Sequence, residues 1–276
     1  MSKYGMVIDL QKCVGCGACA IACKTENNTQ DRAKGQRFNW ADFMMTTEGK
    51  FPNVKFTSRP VLCNHCTDAP CVKACPVTPK AMHKHENGMT IHNMERCVGC
   101  RQCQKACPYS AEDMDKKGVQ YSVISFNDFT DEVHPFYKDV KEAIPGCTAS
   151  GAGVSKEAGD TPPHRTLYSH SDYANVRESG KVEKCIFCEH RVLNGEQPYC
   201  VASCPAKARI FGDQSDPGSE IGQLIKKYDK AVRLKNNKGD LLKPGEKGTQ
   251  PNVFYIKAFR AEAPKGPAKK AATRKK

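Results

Sequence analysis

Sixteen of the seventeen cysteines fall into four quartets, and each quartet ends in C-x3-C. They are Cys13, Cys16, Cys19 and Cys23; Cys63, Cys66, Cys71 and Cys75; Cys97, Cys100, Cys103 and Cys107; and Cys185, Cys188, Cys200 and Cys204. Only Cys147 stands apart. Three close thiolates can wrap one iron–sulfur cubane, and the fourth, commonly followed by proline, reaches a neighbouring cluster. Pro76, Pro108 and Pro205 follow three of the last cysteines, while Lys24 follows Cys23. The first and third quartets match the bacterial ferredoxin run C-x2-C-x2-C-x3-C, and the second and fourth lengthen its middle spacer. Zinc sites use paired C-x2-C knuckles and rarely a further cysteine three residues on. Disulfide frameworks belong to small secreted domains. The spacing points to four [4Fe–4S] clusters and to electron transfer.

Elements must bring the right quartets together. Only the stretch from Pro76 to Arg96 separates the second quartet from the third. Within it Ala81–His85 and Met89–His92 flank Glu86-Asn87-Gly88, a strong hairpin signal. Quartets two and three therefore form one compact unit, and quartets one and four pair by elimination. Tyr4–Asp9 is strand-like before Cys13 and Ala208–Phe211 is strand-like after Cys204, so the two segments can close one small sheet. Because each quartet lends its last cysteine to its partner, four ligand sets are expected. Cys13, Cys16, Cys19 and Cys204 share one cluster, and Cys185, Cys188, Cys200 and Cys23 the next. Cys63, Cys66, Cys71 and Cys107 share a third, and Cys97, Cys100, Cys103 and Cys75 the fourth. The expected fold is α+β: two bacterial-ferredoxin-like units with long loop insertions around a cluster-centred core. Residues 1–60 with 181–260 make the first unit and 61–127 the second; 128–180 is an inserted loop region, and 261–276 a basic disordered tail.

Composition agrees with a metal-built core. The hydrophobic fraction is 39% with cysteine included, so the metal-free chain should be largely unfolded. Formal net charge is +13, but residues 226–276 hold sixteen Lys or Arg against four Asp or Glu. Four clusters with thiolate ligands would bring the total towards roughly +5. The basic tail reads as a solubilising segment, with anionic lipid or an acidic partner as the sharper reading. Nucleic acid is not an expected partner. No apolar run reaches membrane-spanning length, and the N-terminus shows neither an apolar signal region nor a twin arginine. Dinucleotide fingerprints, P-loops and nucleophile elbows are absent, which leaves no evident place for a substrate to react.

Smaller features complete the reading. Ser219–Tyr228 has helical spacing, Val253–Ile256 reads as a final strand, and Ala41–Thr57 as a structured insert. Trp40, Tyr109, Phe187 and Tyr199 are expected to shield clusters. His65 and His190 lie beside ligands, where the plain reading is a supporting histidine and the sharper one a hydrogen bond that tunes potential. Cys147 is an incidental thiol, since no quartet has a place for it.

The order and spacing of the quartets resemble the four-cluster iron–sulfur subunit of the molybdopterin oxidoreductases typified by dimethyl sulfoxide reductase. The phrases Gly5–Cys13, Lys24–Thr29, Leu62–Cys66 and Ala69–Val72 look most similar to the branch with respiratory arsenate, tetrathionate and polysulfide reductases. Some relatives replace one cysteine of the third quartet with tryptophan; here all four are present. The resemblance implies a molybdopterin-containing catalytic subunit and, in many members, a quinol-interacting integral membrane subunit. It also implies a place on the periplasmic face, reached by co-export with a partner bearing a twin-arginine signal. The alternative is a soluble polyferredoxin subunit of a cytoplasmic formate dehydrogenase or hydrogenase. One departure from the family is the insert Ser110–Gln120, which delays the expected strand Tyr121–Phe126.

Overall fold

The computed structural model describes residues 2–27, 29, 40–112, 119, 121–127, 139–142, 144–160, 178–228 and 249–257. In chain order the elements are β1 (Tyr4–Asp9), α1 (Ala18–Asn27), β2 (Asp42–Lys50), β3 (Asn53–Val61), α2 (Pro70–Lys73), β4 (Met82–Lys84), β5 (Thr90–His92) and α3 (Gln102–Ala106). They continue with β6 (Ser125–Phe126), α4 (Gly151–Ala158), β7 (Val182–Glu183), α5 (Glu189–Leu193), α6 (Tyr199–Ala202), β8 (Arg209–Asp213), α7 (Glu220–Lys227) and β9 (Val253–Ile256). The basic tail and the segment Thr161–His164 lie outside the described residues.

β1 is buried almost throughout because it is the middle strand of a sheet ordered β8-β1-β9. It runs antiparallel to β8, with Val7 opposite Ile210, and parallel to β9, with Val7 opposite Phe254. Strand alternation divides this sheet between two cores. Val7, Ile210, Phe254 and Ile256 pack with Ile221 of α7. Met6, Ile8, Phe211, Val253 and Tyr255 face the larger core, which contains cysteines of all four quartets. α7 starts at the N-cap Ser219, whose Oγ accepts from the Gly222 N–H at 3.0 Å, and carries Lys226 and Lys227 in its last turn, where they suit the helix dipole.

The expected hairpin is β4–β5, with Met82 opposite His92 and the Asn87-Gly88 turn between them. It is tied to the sheet by the Tyr4 N–H, which donates to the Asn87 carbonyl at 3.0 Å. Ala41–Thr57 forms most of a longer hairpin, β2–β3, in register from Asp42–Val61 to Lys50–Asn53. The expected strand Tyr121–Phe126 is shortened to β6, which pairs with β7 from far along the chain. Side chains and a neighbouring loop bind the backbone that a ladder would otherwise use. Ser110 Oγ accepts from the Ile124 N–H, Ser122 Oγ donates to the Ile124 carbonyl, and the Val123 N–H donates to the Tyr109 carbonyl.

Candidate metal centres

All four quartets open on the same local turn. The residue two places after the first cysteine has a left-handed backbone: Gly15 at φ 69°, His65 at 42°, Gly99 at 70° and Phe187 at 57°. This turn aims its N–H back at the first thiol. Gly99 N lies 3.4 Å from Cys97 Sγ, His65 N 3.5 Å from Cys63 Sγ, and Phe187 N 3.4 Å from Cys185 Sγ. Gly15 does the same for Cys13. N–H groups aimed at sulfur favour thiolate. Glycine meets the backbone demand at Gly99, where a Cβ would also sit 1.9 Å from the Gly180 carbonyl oxygen.

The turns and the short helices after them gather the cysteines into four groups, three of them around cavities. Cys13, Cys16, Cys19 and Cys204 line one, with Val14, Phe43, Pro60 and Arg209 (site A). Cys23 faces Cys185, Cys188 and Cys200 (site B). Cys63, Cys66, Cys71 and Cys107 line a second cavity with Tyr109, Ile124 and Lys184 (site C). Cys97, Cys100, Cys103 and Cys75 line a third cavity with Val98, Met82 and Val182 (site D). These are the four sets expected from spacing. The sites also have an order in space, because Cys19 faces Cys200, Cys185 faces Cys63, and Cys71 faces Cys103. Of the sixteen cysteines only Cys16 of site A and Cys100 of site D are exposed.

The donor set fits a polynuclear cluster. Among the described residues no three His, Cys, Asp or Glu side chains converge closely enough for a single metal ion. The thiols of sites A, C and D stand around cavities, which suits a polynuclear iron–sulfur cluster. Without metal these thiols hold their protons. Burial, reinforced by neighbouring cysteines, pushes Cys71 and Cys103 up to about 12 and Cys66 well above the usual thiol range. A cationic core would reverse that balance, since metal binding deprotonates its thiol ligands.

Lys184, Asn27, Glu26 and Arg191 escaped sequence reading, as did the contacts of His65, Phe187 and His190, which the sequence singles out. His65 and Phe187 stack face to face at the B–C junction, with ring centroids 3.5 Å apart and planes 9° apart. His65 Nδ1 accepts from the Thr90 N–H at 3.1 Å, and burial, with Lys184 and Lys84 nearby, holds the imidazole well below its ordinary pKa. Lys184 is buried beside them and donates to the carbonyls of Thr90 and Cys185. Asn27 Nδ2 lies 3.6 Å from both Cys23 Sγ and Cys188 Sγ. Outside site B, His190 Nε2 meets Glu26 Oε1 at 2.7 Å, and Arg191 lies over Tyr199 at 5.1 Å. Trp40 and Tyr109 are buried, as shielding residues would be. Cys147 is exposed and outside every site.

Comparison with known proteins identifies the family. Residues 54–126 and 154–214 match the model of a 4Fe-4S dicluster domain, and residues 4–25 that of a 4Fe-4S binding domain. The chain is 45% identical to the arsenate respiratory reductase iron–sulfur subunit of Shewanella sp. (strain ANA-3), over 93% of this chain and 97% of the relative. The chain belongs to the iron–sulfur subunits of the molybdopterin oxidoreductases. This iron–sulfur subunit is also 34% identical to a putative dimethyl sulfoxide reductase iron–sulfur subunit of Halobacterium salinarum, over 93% of its length and 79% of the relative. A tetrathionate reductase subunit of Salmonella typhimurium is 30% identical over 92% of this chain and 72% of its own. The iron–sulfur subunit is a non-catalytic, [4Fe–4S]-bearing electron-transfer component of a respiratory reductase, with a ferredoxin-type fold. Among the described residues no helix is long and apolar enough to cross a membrane.

Proposed function

We propose that sites A, B, C and D each hold one [4Fe–4S] cluster on the four cysteines named above, within two ferredoxin-like units spanning residues 1–60 with 181–260 and 61–127. Each cluster, when bound, takes up and releases one electron at a time. The protein's part is to hold the thiolates in line, exclude water and bias the charge around each site. Tyr109, Ile124, Phe187 and Met82 supply the apolar walls. The observation that carries the reading is the exposure pattern: Cys16 and Cys100 are open to solvent at opposite ends of the order A-B-C-D. A relay needs access at its two ends and insulation between them.

The partners are a molybdopterin catalytic subunit at the A end and a quinol-linked membrane subunit at the D end, on the periplasmic side of the membrane. Exposed apolar residues at both ends support partner contact there: Val14 at A and Val98 at D. The A end also carries the β2–β3 hairpin, whose Phe43 and Pro60 line site A and whose outer part exposes Met45, Val54 and Phe56. The relative that is 45% identical makes arsenate the first terminal acceptor to test. The deciding experiment is co-expression with the catalytic partner, anaerobic purification, and an iron and sulfide count with a redox titration followed by paramagnetic resonance. About sixteen irons per chain and four reducible cubane signals are expected. Bound zinc without a paramagnetic signal would overturn the reading. Arsenate-dependent oxidation of a reduced dye by the complex tests the substrate separately.

A further inference from the structure

Arg209 is a cation in a place built for an apolar side chain. It opens β8, whose next residue, Ile210, packs towards α7. Alternation turns Arg209 to the opposite face, the one on which Phe211 joins the cysteine core. Only 3% of Arg209 is exposed. Its Nη1 lies 3.9 Å from Cys200 Sγ of site B and 3.8 Å from Met6 Sδ. The same side chain lines the cavity of site A and faces Cys19. Its Nη2 is buried without a hydrogen-bond partner. No carboxylate forms an ion pair with it among the described residues.

A buried guanidinium with no counter-charge is strongly unfavourable, and arginine cannot shed its proton to escape. Arg209 faces Cys19 on one side and Cys200 on the other, with Tyr255 beside them, and the cysteines carry negative charge once they are thiolate ligands of a cluster. Given the ligand assignment proposed above, we infer that Arg209 is the shared counter-charge of sites A and B and raises the reduction potentials of their clusters. One-electron reduction adds a unit of negative charge to a site, and a fixed positive charge a few ångströms away favours that state. The cysteines that Arg209 faces belong to sites A and B, so the potentials of C and D are set by other groups.

The test uses the full-length, iron-loaded chain with its catalytic partner, comparing wild type with Arg209→Met and Arg209→Lys. Potentials are read by redox titration with paramagnetic resonance, and the signals of the end sites are assigned with Cys16→Ser and Cys100→Ser. In Arg209→Met, two of the four reductions should become at least tenfold less favourable, ~59 mV for a one-electron couple. Both belong to sites A and B, and the other two stay in place. Arg209→Lys, which keeps the charge, should restore most of the shift. Should Arg209→Met lose iron, Arg209→Gln against Arg209→Lys carries the same comparison. Four unchanged potentials at full iron content would overturn the inference, as would an equal shift at all four sites. A wild-type chain with too little iron for four cubanes would overturn the ligand assignment, and this inference with it.

Discussion

His65 and Phe187 hold the left-handed position that glycine fills in the other two cysteine loops. A non-glycine residue there costs about 1–2 kcal/mol. The stack they make is worth about 0.5–1.5 kcal/mol, and truncating a buried Phe costs about 3–5 kcal/mol. The ring therefore outweighs the backbone: Phe187→Gly, which relieves the strained φ, should still destabilise the iron-loaded protein by about 2 kcal/mol in anaerobic denaturant unfolding. A more stable variant would show that the stack holds nothing. At Gly99 the balance runs the other way, because an added Cβ meets backbone at 1.9 Å. Gly99→Ala should lose the site D signal, leaving about twelve irons per chain. Unchanged iron would show that the loop can yield. The cysteine loops that the structure gathers were readable from the chain, since spacing within a loop is a local property. Arg209 and the His65–Phe187 stack were not, because their partners lie far away in sequence. A faint signal did exist: the end sites read C-V-G-C, while the interior ones read C-N-H-C and C-I-F-C.

Among the elements, the β2–β3 hairpin has two unlike faces. Cross-strand register puts Met45, Thr47, Val54, Phe56 and Ser58 on one side, with Met44, Thr46, Glu48, Lys50, Lys55, Thr57 and Arg59 on the other. Phe51 at its tip is 92% exposed. Replacing Phe51 and Phe56 together with Ser should weaken binding to the catalytic subunit at least tenfold, with all four clusters retained; unaltered affinity would assign the partner elsewhere. In α7, Ser219→Ala removes the N-cap bond to Gly222 and should lower stability by about 1 kcal/mol, read by the same unfolding curve. Both α7 and β9 were legible from periodicity, as was the β4–β5 hairpin from its Asn-Gly turn. The strand at Tyr121–Phe126 was legible only in part. Its residues alternate well enough, but Ser110 and Ser122 satisfy its backbone in ways that no periodicity reports.

For the whole molecule, the core is continuous through all four cysteine groups. Chelation of the iron should therefore unfold much of the chain, visible as loss of far-ultraviolet circular dichroism and a red shift of Trp40 emission. Folding and loading are coupled through the thiols. In a closed, metal-free pocket burial raises Cys71 and Cys107 to about 12, so the folded form keeps protons that an unfolded thiol begins to release near 8.5. Their contribution to the metal-free fold is therefore present below that range and fades as pH rises towards 12. Because the metal-free chain is largely unfolded, reconstitution should proceed from the open chain and speed up as pH rises towards about 8.5, measured by growth of visible absorbance.

The β8-β1-β9 sheet has a consequence for synthesis. β1 leaves the ribosome long before its neighbours, which begin at Arg209 and Val253. Sites C and D have all their cysteines once Cys107 has emerged, whereas A and B wait for Cys204. During translation Cys13, Cys16, Cys19 and Cys23 stay open, reduced and exposed to wrong metals and oxidants while sites C and D can already close. The first quartet is thus vulnerable until the fourth has been made. A stalled or truncated product would carry the half of the relay that includes the Cys100 exit and lack the half that includes the Cys16 one.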